Sequence, residues 1–452
     1  MKAATATFIA SIFFSELLPT GAAEWKAYFG NLHAHTSVSD GVEMPADAYS
    51  WARDQGQLNF LCLSEHNHML SANGLSDDIA ASTPAETGTF VTIVGQEFST
   101  LPPKGGNHVN VHNVLEAIPA DLSNNYRELY SKWLPAYQLK HSNEVIVCQF
   151  NHPDKPARDY GAARIGGFVN YDSDWNSFVS DADRWVRLIA VLSGPADSNL
   201  KKTQPPPQRI HRDMDDSMVR IWQTYLERGF HLSPVADQDN HRHSWGTRTL
   251  ARTGVWLNEP LTKRSLLEAL KSGRCFATED SNLSVWFAIN HFPMGSRVPD
   301  PGTGSVSAEI SVVDQDEPDS KYTVQIFRDK VGDGKLPAPL PTAFSIHSGE
   351  TKMISLQHVA GEYELFFLHV AQIGSGPVDD AWTAPIWLDP AIAPEEVEHD
   401  LIDDTAKKFV AARYSDVYHF AECKIAKKIT GKRIESDEPI PGKRLHKNCP
   451  TD

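Results

Sequence analysis

From Trp25 to about residue 244 the chain alternates short, densely apolar runs with longer polar connections, and most of the runs end in the same kind of residue. AYFGNLHAH, LNFLCLSEHNH, FVTIVGQEFS, HVNVHNVL, EVIVCQFNHP, VRLIAVLSGPADS and HLSPVADQDNH each join apolar side chains to His, Asp, Glu or Asn. Continuous apolar runs of this length predict strands buried on both faces. Between several of them MPADAYSWARDQGQ, YRELYSKWLPAYQLK and DDSMVRIWQTYLERG have helical spacing, the last stopping at Gly229. Strands alternating with helices, with the chemistry at the strand ends, predict an α/β fold, either a barrel or an open doubly wound sheet. Seven runs favour a seven-stranded (β/α) barrel, whose rim can gather residues far apart in sequence.

After SLLEALKSGRCFATED the texture changes. NLSVWFAIN, SVSAEISVVD, KYTVQIFRD, TKMISLQHV and EYELFFLHVAQI are short runs punctuated by Gly, Pro and Asp. They predict a smaller antiparallel β-sandwich over 281–390. The first domain is then expected over 24–280, and a partly helical, basic tail over 391–452. The start differs again: Lys2, an apolar run through Leu18, Pro19, and the small residues Gly21 and Ala23 read as a signal peptide over 1–23. That implies a secreted or periplasmic protein.

Composition narrows the function. At 452 residues the chain exceeds what one core usually serves, consistent with two domains. The formal net charge of −16 argues against a nucleic-acid surface, which needs clustered Lys and Arg. No apolar run in the body is long enough to span a membrane. Cys62, Cys148, Cys275, Cys423 and Cys449 form no CxxC pair, so a cysteine-based zinc knuckle is not expected. The first three sit in strand-like runs and read as buried small hydrophobes. Cys423 and Cys449 have the option of pairing in an oxidising compartment.

Histidine is concentrated in the first part of the chain, and its placement carries the chemistry. His33 and His35, two apart, would put both imidazoles on one face of a strand, an arrangement that suits a borderline-soft divalent ion better than packing. His66, Glu97, His152, Asp239 and His241 stand at the corresponding edge of other runs. HAH, SDG, EHN, the lone Glu97, FNHP and DNH, in this order, resemble the polymerase and histidinol phosphatase (PHP) superfamily. QDNHR, TGVWL, ATEDSNLSVWF and AWTAPIWL are similar to its carbaryl-hydrolase-like branch, and the resemblance spans about residues 27–390.

This resemblance implies a distorted seven-stranded PHP-type barrel holding two or three divalent ions, zinc first, with manganese or iron as alternatives. It implies a first position at His33, His35, Glu97 and Asp239. A second would use Glu97, His108 and His152, and a third Asp40, His66 and His241. Asp40 stands where many members have histidine. His108 is preferred to His112 because it precedes the apolar run after GGN, as in relatives. His68 and His243 flank ligands. A His and carboxylate set with a bridging Glu97 leaves room for water, and a hydroxide between two ions is a nucleophile at neutral pH. The expected activity is metal-dependent hydrolysis of a small-molecule ester, a phosphoester first. An aryl carbamate or carboxylic ester on the same centre is the alternative. A secreted binding module with a structural metal is the reading from another class. No GxSxG elbow points to a serine nucleophile. Arg242 is the candidate anion clamp or else a partner of surface carboxylates, with Arg248 and Arg164 behind it. Trp175, Trp245 and Phe168 would suit a neutral aryl group.

Overall fold

The computed structural model describes residues 25–82, 88–98, 108–122, 125–153, 166–168, 170–172, 174–200, 208–213, 216–302, 304–374 and 379–392, and four short segments between 409 and 445. Residues 1–23, for which a signal peptide is expected, and Arg164, Cys423 and Cys449 lie outside the described residues. Residues Trp25–Val397 make one compact unit.

Nine strands come first: β1 (Lys26–Asn31), β2 (Phe60–His66), β3 (Val91–Phe98), β4 (Val109–His112), β5 (Val147–Phe150), β6 (Val186–Leu192), β7 (Ser233–Ala236), β8 (Arg252–Leu257) and β9 (Cys275–Thr278). Then follow β10 (Ser284–Ile289), β11 (Phe292–Pro293), β12 (Arg297–Pro299), β13 (Ser305–Val313), β14 (Lys321–Lys330), β15 (Ala338–Pro339) and β16 (Phe344–His347). The unit closes with β17 (Glu350–Gln357), β18 (Glu364–Gln372), β19 (Asp380–Thr383) and β20 (Ile386–Asp389). The expected (β/α) barrel is not what they build. Sixteen strands share one mixed sheet, whose main path runs β12-β20-β18-β19-β9-β8-β1-β2-β3-β4-β5-β6-β7. Along β1 to β9 the parallel pairs are those of β1-β2-β3 and β5-β6-β7, and β12 is parallel to β20; β4 is antiparallel to both neighbours, and β8 to β1 and β9. A (β/α) barrel needs a crossover helix for each parallel step. Among the described residues there are six α-helices of seven residues or more. An antiparallel step needs none.

The later strands do not stand apart. β9 pairs with β19, Ala277 opposite Trp382, so the sheet continues past residue 280 into the second half. A second sheet, β11-β10-β13-β17, lies beside it. Here the sequence alternates as a half-buried antiparallel sheet should: Val306, Ala308, Ile310 and Val312 of β13 are buried, with more exposed residues between. They pack with Tyr322, Val324, Ile326, Phe366 and Leu368 in one apolar cluster. Cys62, Cys148 and Cys275 are buried and free. In the separate tail unit Phe409–Ala412, Val417–Phe420, Arg433–Ser436 and Arg444–Leu445 form a four-stranded sheet. No helix among the described residues is long and apolar enough to cross a membrane.

One helix carries a buried acid. Asp78, on Ala72–Ser82, meets the Tyr49 hydroxyl at 3.1 Å, and that hydroxyl also lies 3.0 Å from the Ile93 carbonyl. Burial pushes the Asp78 carboxyl well above its usual value, and nearby Glu65 adds to the shift. The Tyr49 hydroxyl has both Asp78 Oδ1 and the Ile93 carbonyl as acceptors within reach. A raised carboxyl opposes folding once pH passes the unfolded value of 3.8, where only the unfolded chain ionises freely. Asp78→Asn keeps an acceptor for the Tyr49 hydroxyl and removes that penalty. It is expected to raise stability at neutral pH by ~1–2 kcal/mol, with a smaller gain at pH about 5. Thermal unfolding at the two pH values checks this; a loss of stability at both would contradict it.

Candidate metal centre

The strand ends on one rim of the sheet bring the predicted ligands together. His33 and His35 follow β1, His66 ends β2, Glu97 lies in β3, His152 follows β5, and Asp239 and His241 follow β7. Beyond the strands proper, an isolated parallel bridge joins Ala34 to Asn240, with the His35 amide 2.8 Å from the Asn240 carbonyl. This bridge sets the two ligand pairs side by side. The direction of β4 decides between its two histidines. Glu97 is opposite Asn110 and Gly95 opposite His112, so the start of β4 is at the rim and its end is not. His108 accordingly lies 2.8 Å from Glu97 Oε1. His112 is wholly buried against Cys62 Sγ at 3.1 Å, and burial pushes its ring down to about 3.

Glu97 is the centre of the cluster. Its Oε1 faces His108, His33 and His152 at 2.8, 3.3 and 3.3 Å. Its Oε2 faces His66 and His35 at 2.9 and 3.4 Å. Asp239 Oδ1 lies 3.1 and 3.3 Å from the Nε2 atoms of His33 and His35. Asp40 approaches His241 at 3.3 Å, His66 at 3.6 Å and His35 at 4.0 Å. His33, His35, Glu97, His152, Asp239 and His241 are buried, whereas Asp40 is 34% exposed and His108 20%, so the cluster opens on their side. His68 stands at that edge, its ring centroid 5.4 Å from that of His66. His152 and Asp239 hold positive φ of 27° and 47°, a backbone cost tolerated where a side chain must be aimed.

These residues fit divalent ions. Three groups have ligand atoms close enough to share one: His33, His35 and Asp239; His66, Glu97 and His108; and His35, Asp40, His66 and His241. His33 Nε2 and His35 Nε2 converge to 3.1 Å and aim at the same carboxylates. His66 Nδ1 lies 2.9 Å from Glu97 without hydrogen-bond geometry, and Asp40 Oδ1 is a buried oxygen with no hydrogen-bond donor among the described residues. Convergent nitrogens and orphan acceptors are what a shared cation would satisfy.

Several residues around the cluster were not anticipated from the sequence. Asn151, inside FNHP, donates to Glu97 Oε1 at 3.0 Å and to Asn110 Oδ1 at 2.8 Å. Gln149 donates to Asn151 Oδ1 at 2.9 Å and to Asp237 Oδ2 at 2.7 Å. Asp237 also accepts from Ser193 and lies 3.8 Å from His33 Nδ1. The only signal for this network was polar residues set within apolar runs. Glu65, in EHN, was missed as well.

The arginines are more committed than expected. Arg242 donates from Nε to the Asp197 carbonyl at 3.0 Å and from Nη2 to that of Ser198 at 3.3 Å; its Nη1 is buried with no acceptor among the described residues. Arg248 is paired with the Asp197 carboxylate. Trp175 and Phe168 stack on each other at 4.0 Å in the core, and Trp245 is wholly buried in another apolar cluster.

Without ions, the carboxylates draw protons onto the rings. Burial, the largest influence on His33, acts to lower it, but Asp239 and Glu97 raise it to about 9. Glu97 and Asp40 likewise raise His66, against burial, to about 11. Burial acts to raise Glu97 and Asp40, but the facing imidazoles hold both below the usual carboxylate range. The raised rings stabilise the fold fully below 6.5, and that stability is lost as pH rises through about 9 and about 11. The depressed carboxylates stabilise it above roughly pH 4 and fail as pH falls. An ion replaces the protons, so loading at pH about 7 is expected to release them, and the ion's gain in Tm should grow from pH about 6 to about 9. Titration calorimetry in buffers of different ionisation heat measures the release. Loading with no proton release and a pH-independent gain would contradict this.

No family model matches the chain. An uncharacterized protein of Chlamydia pneumoniae is 24% identical over 385 residues, 80% of this chain and 57% of that protein. The chain thus spans little more than half the length of this relative. Among solved structures, the soluble domain of PmoD from Methylocystis sp. matches 24% of this chain and 90% of its own, at 12% identity and a TM-score of 0.18, too slight a likeness to bear on the fold.

Proposed function

We propose that this protein is a metal-dependent hydrolase of small-molecule esters, with phosphoesters the leading substrate class. The observation that carries the reading is Glu97, whose two oxygens face separate sets of imidazoles. Such a carboxylate serves two cations at once, whereas a structural zinc site is closed and usually built on cysteine. His33, His35, Asp239 and Glu97 would hold one ion, Glu97, His108 and His152 a second, and Asp40, His66 and His241 a third. Divalent ions held there supply Lewis acidity and an activated water. The chain's own part is to fix the ligands through Asn151 and Gln149, and to leave access on the Asp40 side. Arg242, next to His241, has one buried donor free for a substrate oxygen.

The same arginines favour the second reading, an aryl carbamate or carboxylic ester on the same centre. Arg242 spends two nitrogens on backbone carbonyls and Arg248 is neutralised by Asp197, which leaves little positive charge for a phosphoryl group. The test is turnover of a panel of phosphomonoesters, phosphodiesters and aryl carbamates, before and after chelation. Chelator-sensitive hydrolysis of phosphoesters is expected. Hydrolysis of the carbamate alone would transfer the assignment to the second reading, and no turnover of any ester would reject both.

A further inference from the structure

Most of the cluster is carried by strand ends, but Asp40 is carried by a turn, Thr36–Gly41. Backbone bonds to the Thr36 carbonyl from Ser39 at 3.2 Å and Gly41 at 2.9 Å close that turn. Gly41 is required there, since a Cβ would sit 2.6 Å from the His35 carbonyl oxygen. One side chain ties the turn to the sheet. Glu65, wholly buried on β2, accepts from the Thr36 amide at 2.8 Å and the Thr36 hydroxyl at 2.6 Å with Oε1, and from the Ser39 hydroxyl with Oε2. Side chains alternate along a strand, so Glu65 and His66 leave β2 on opposite sides: His66 meets Asp40 directly while Glu65 grips the turn that presents it. All three donors are neutral. A buried carboxylate is costly unless its bonds are fully used.

We propose that Glu65 is the positioning residue of the Asp40 cradle, and that this third ion position fills and empties separately from the pair bridged by Glu97. The inference rests on reading the cluster as a metal centre. It follows from where the ligands are anchored. His33, His35, Glu97, His108, His152 and Asp239 stay in place if the turn loosens; Asp40 does not, and its partners His66 and His241 lose their shared carboxylate.

Zinc binding to the full chain, measured by equilibrium dialysis and elemental analysis, tests this in the wild type, Glu65→Ala, Glu65→Gln and Ser39→Ala. Three ions per chain are expected in the wild type, and two in Glu65→Ala with their affinities unchanged. Glu65→Gln keeps an acceptor for Thr36 and can donate to the Ser39 hydroxyl, so it should restore the third. Ser39→Ala cuts one contact on the half-buried turn and should weaken the third ion ~10–100-fold, as outer-shell changes do. It carries the test if Glu65→Ala does not fold. A third ion bound as tightly in Glu65→Ala or Ser39→Ala as in the wild type would overturn the proposal. So would a wild type that binds only two ions, or a Glu65→Ala protein that loses all of them together. A wild type that binds none would instead reject the metal centre itself.

Discussion

Glu97→Gln should reduce kcat on any ester substrate by more than ~100-fold while leaving the fold nearly intact, a larger effect than an outer-shell change produces. Glutamine keeps the length and the planar end of the side chain. It removes the charge and turns one acceptor into a donor. Whichever oxygen is replaced, one set of imidazoles loses its shared ligand: His33, His108 and His152 on one side, His35 and His66 on the other. The Asn151 amide, 3.0 Å from Oε1, donates too, so the variant's own amide is driven to the opposite side, away from Asn151. The side facing His35 and His66 should therefore be the one that loses its shared acceptor. Steady-state kinetics, ion content and thermal unfolding of the two proteins decide it. Wild-type turnover with a wild-type ion count would remove Glu97 from its role.

Arg242→Ala separates the two substrate classes. With a phosphoester the variant should lose at least ~2 kcal/mol in kcat/KM, the cost of one charge-assisted contact. With an aryl carbamate, which brings no full charge, the loss should be much smaller. The comparison between substrates matters because Arg242 also fastens the Asp197 and Ser198 carbonyls, and loosening that loop would affect both alike. Equal losses on the two substrates would make Arg242 a loop anchor and leave the phosphoryl group without a clamp.

The residues of the site were more legible than the fold around them. A ligand needs only to sit at the end of an apolar run, and HAH, EHN, FNHP and DNH do. Strand direction leaves no such mark. β4 is four buried residues, and its pattern is the same read parallel or antiparallel. Its reversal turned an expected barrel into a mixed sheet, and it is also what brings His108 rather than His112 to the rim. The join between β9 and β19 was equally silent, because CFAT and DAWT carry no sign of which strand they will pair with. Glu65 and Asn151 were hidden by louder neighbours, His66 and His152. Each acts through hydrogen bonds to residues 26 or more positions away, which spacing along a single run does not report.

The central claim is that this cluster holds divalent ions on a bridging carboxylate. Anomalous diffraction from zinc-loaded crystals tests it most directly. The account predicts separate peaks beside Glu97, one within ~2.0–2.2 Å of the Nε2 atoms of His33 and His35 and of Asp239, another within the same reach of His108 and His152. Density without such peaks, with the imidazoles protonated and hydrogen-bonded to Glu97, Asp239 and Asp40, would contradict it.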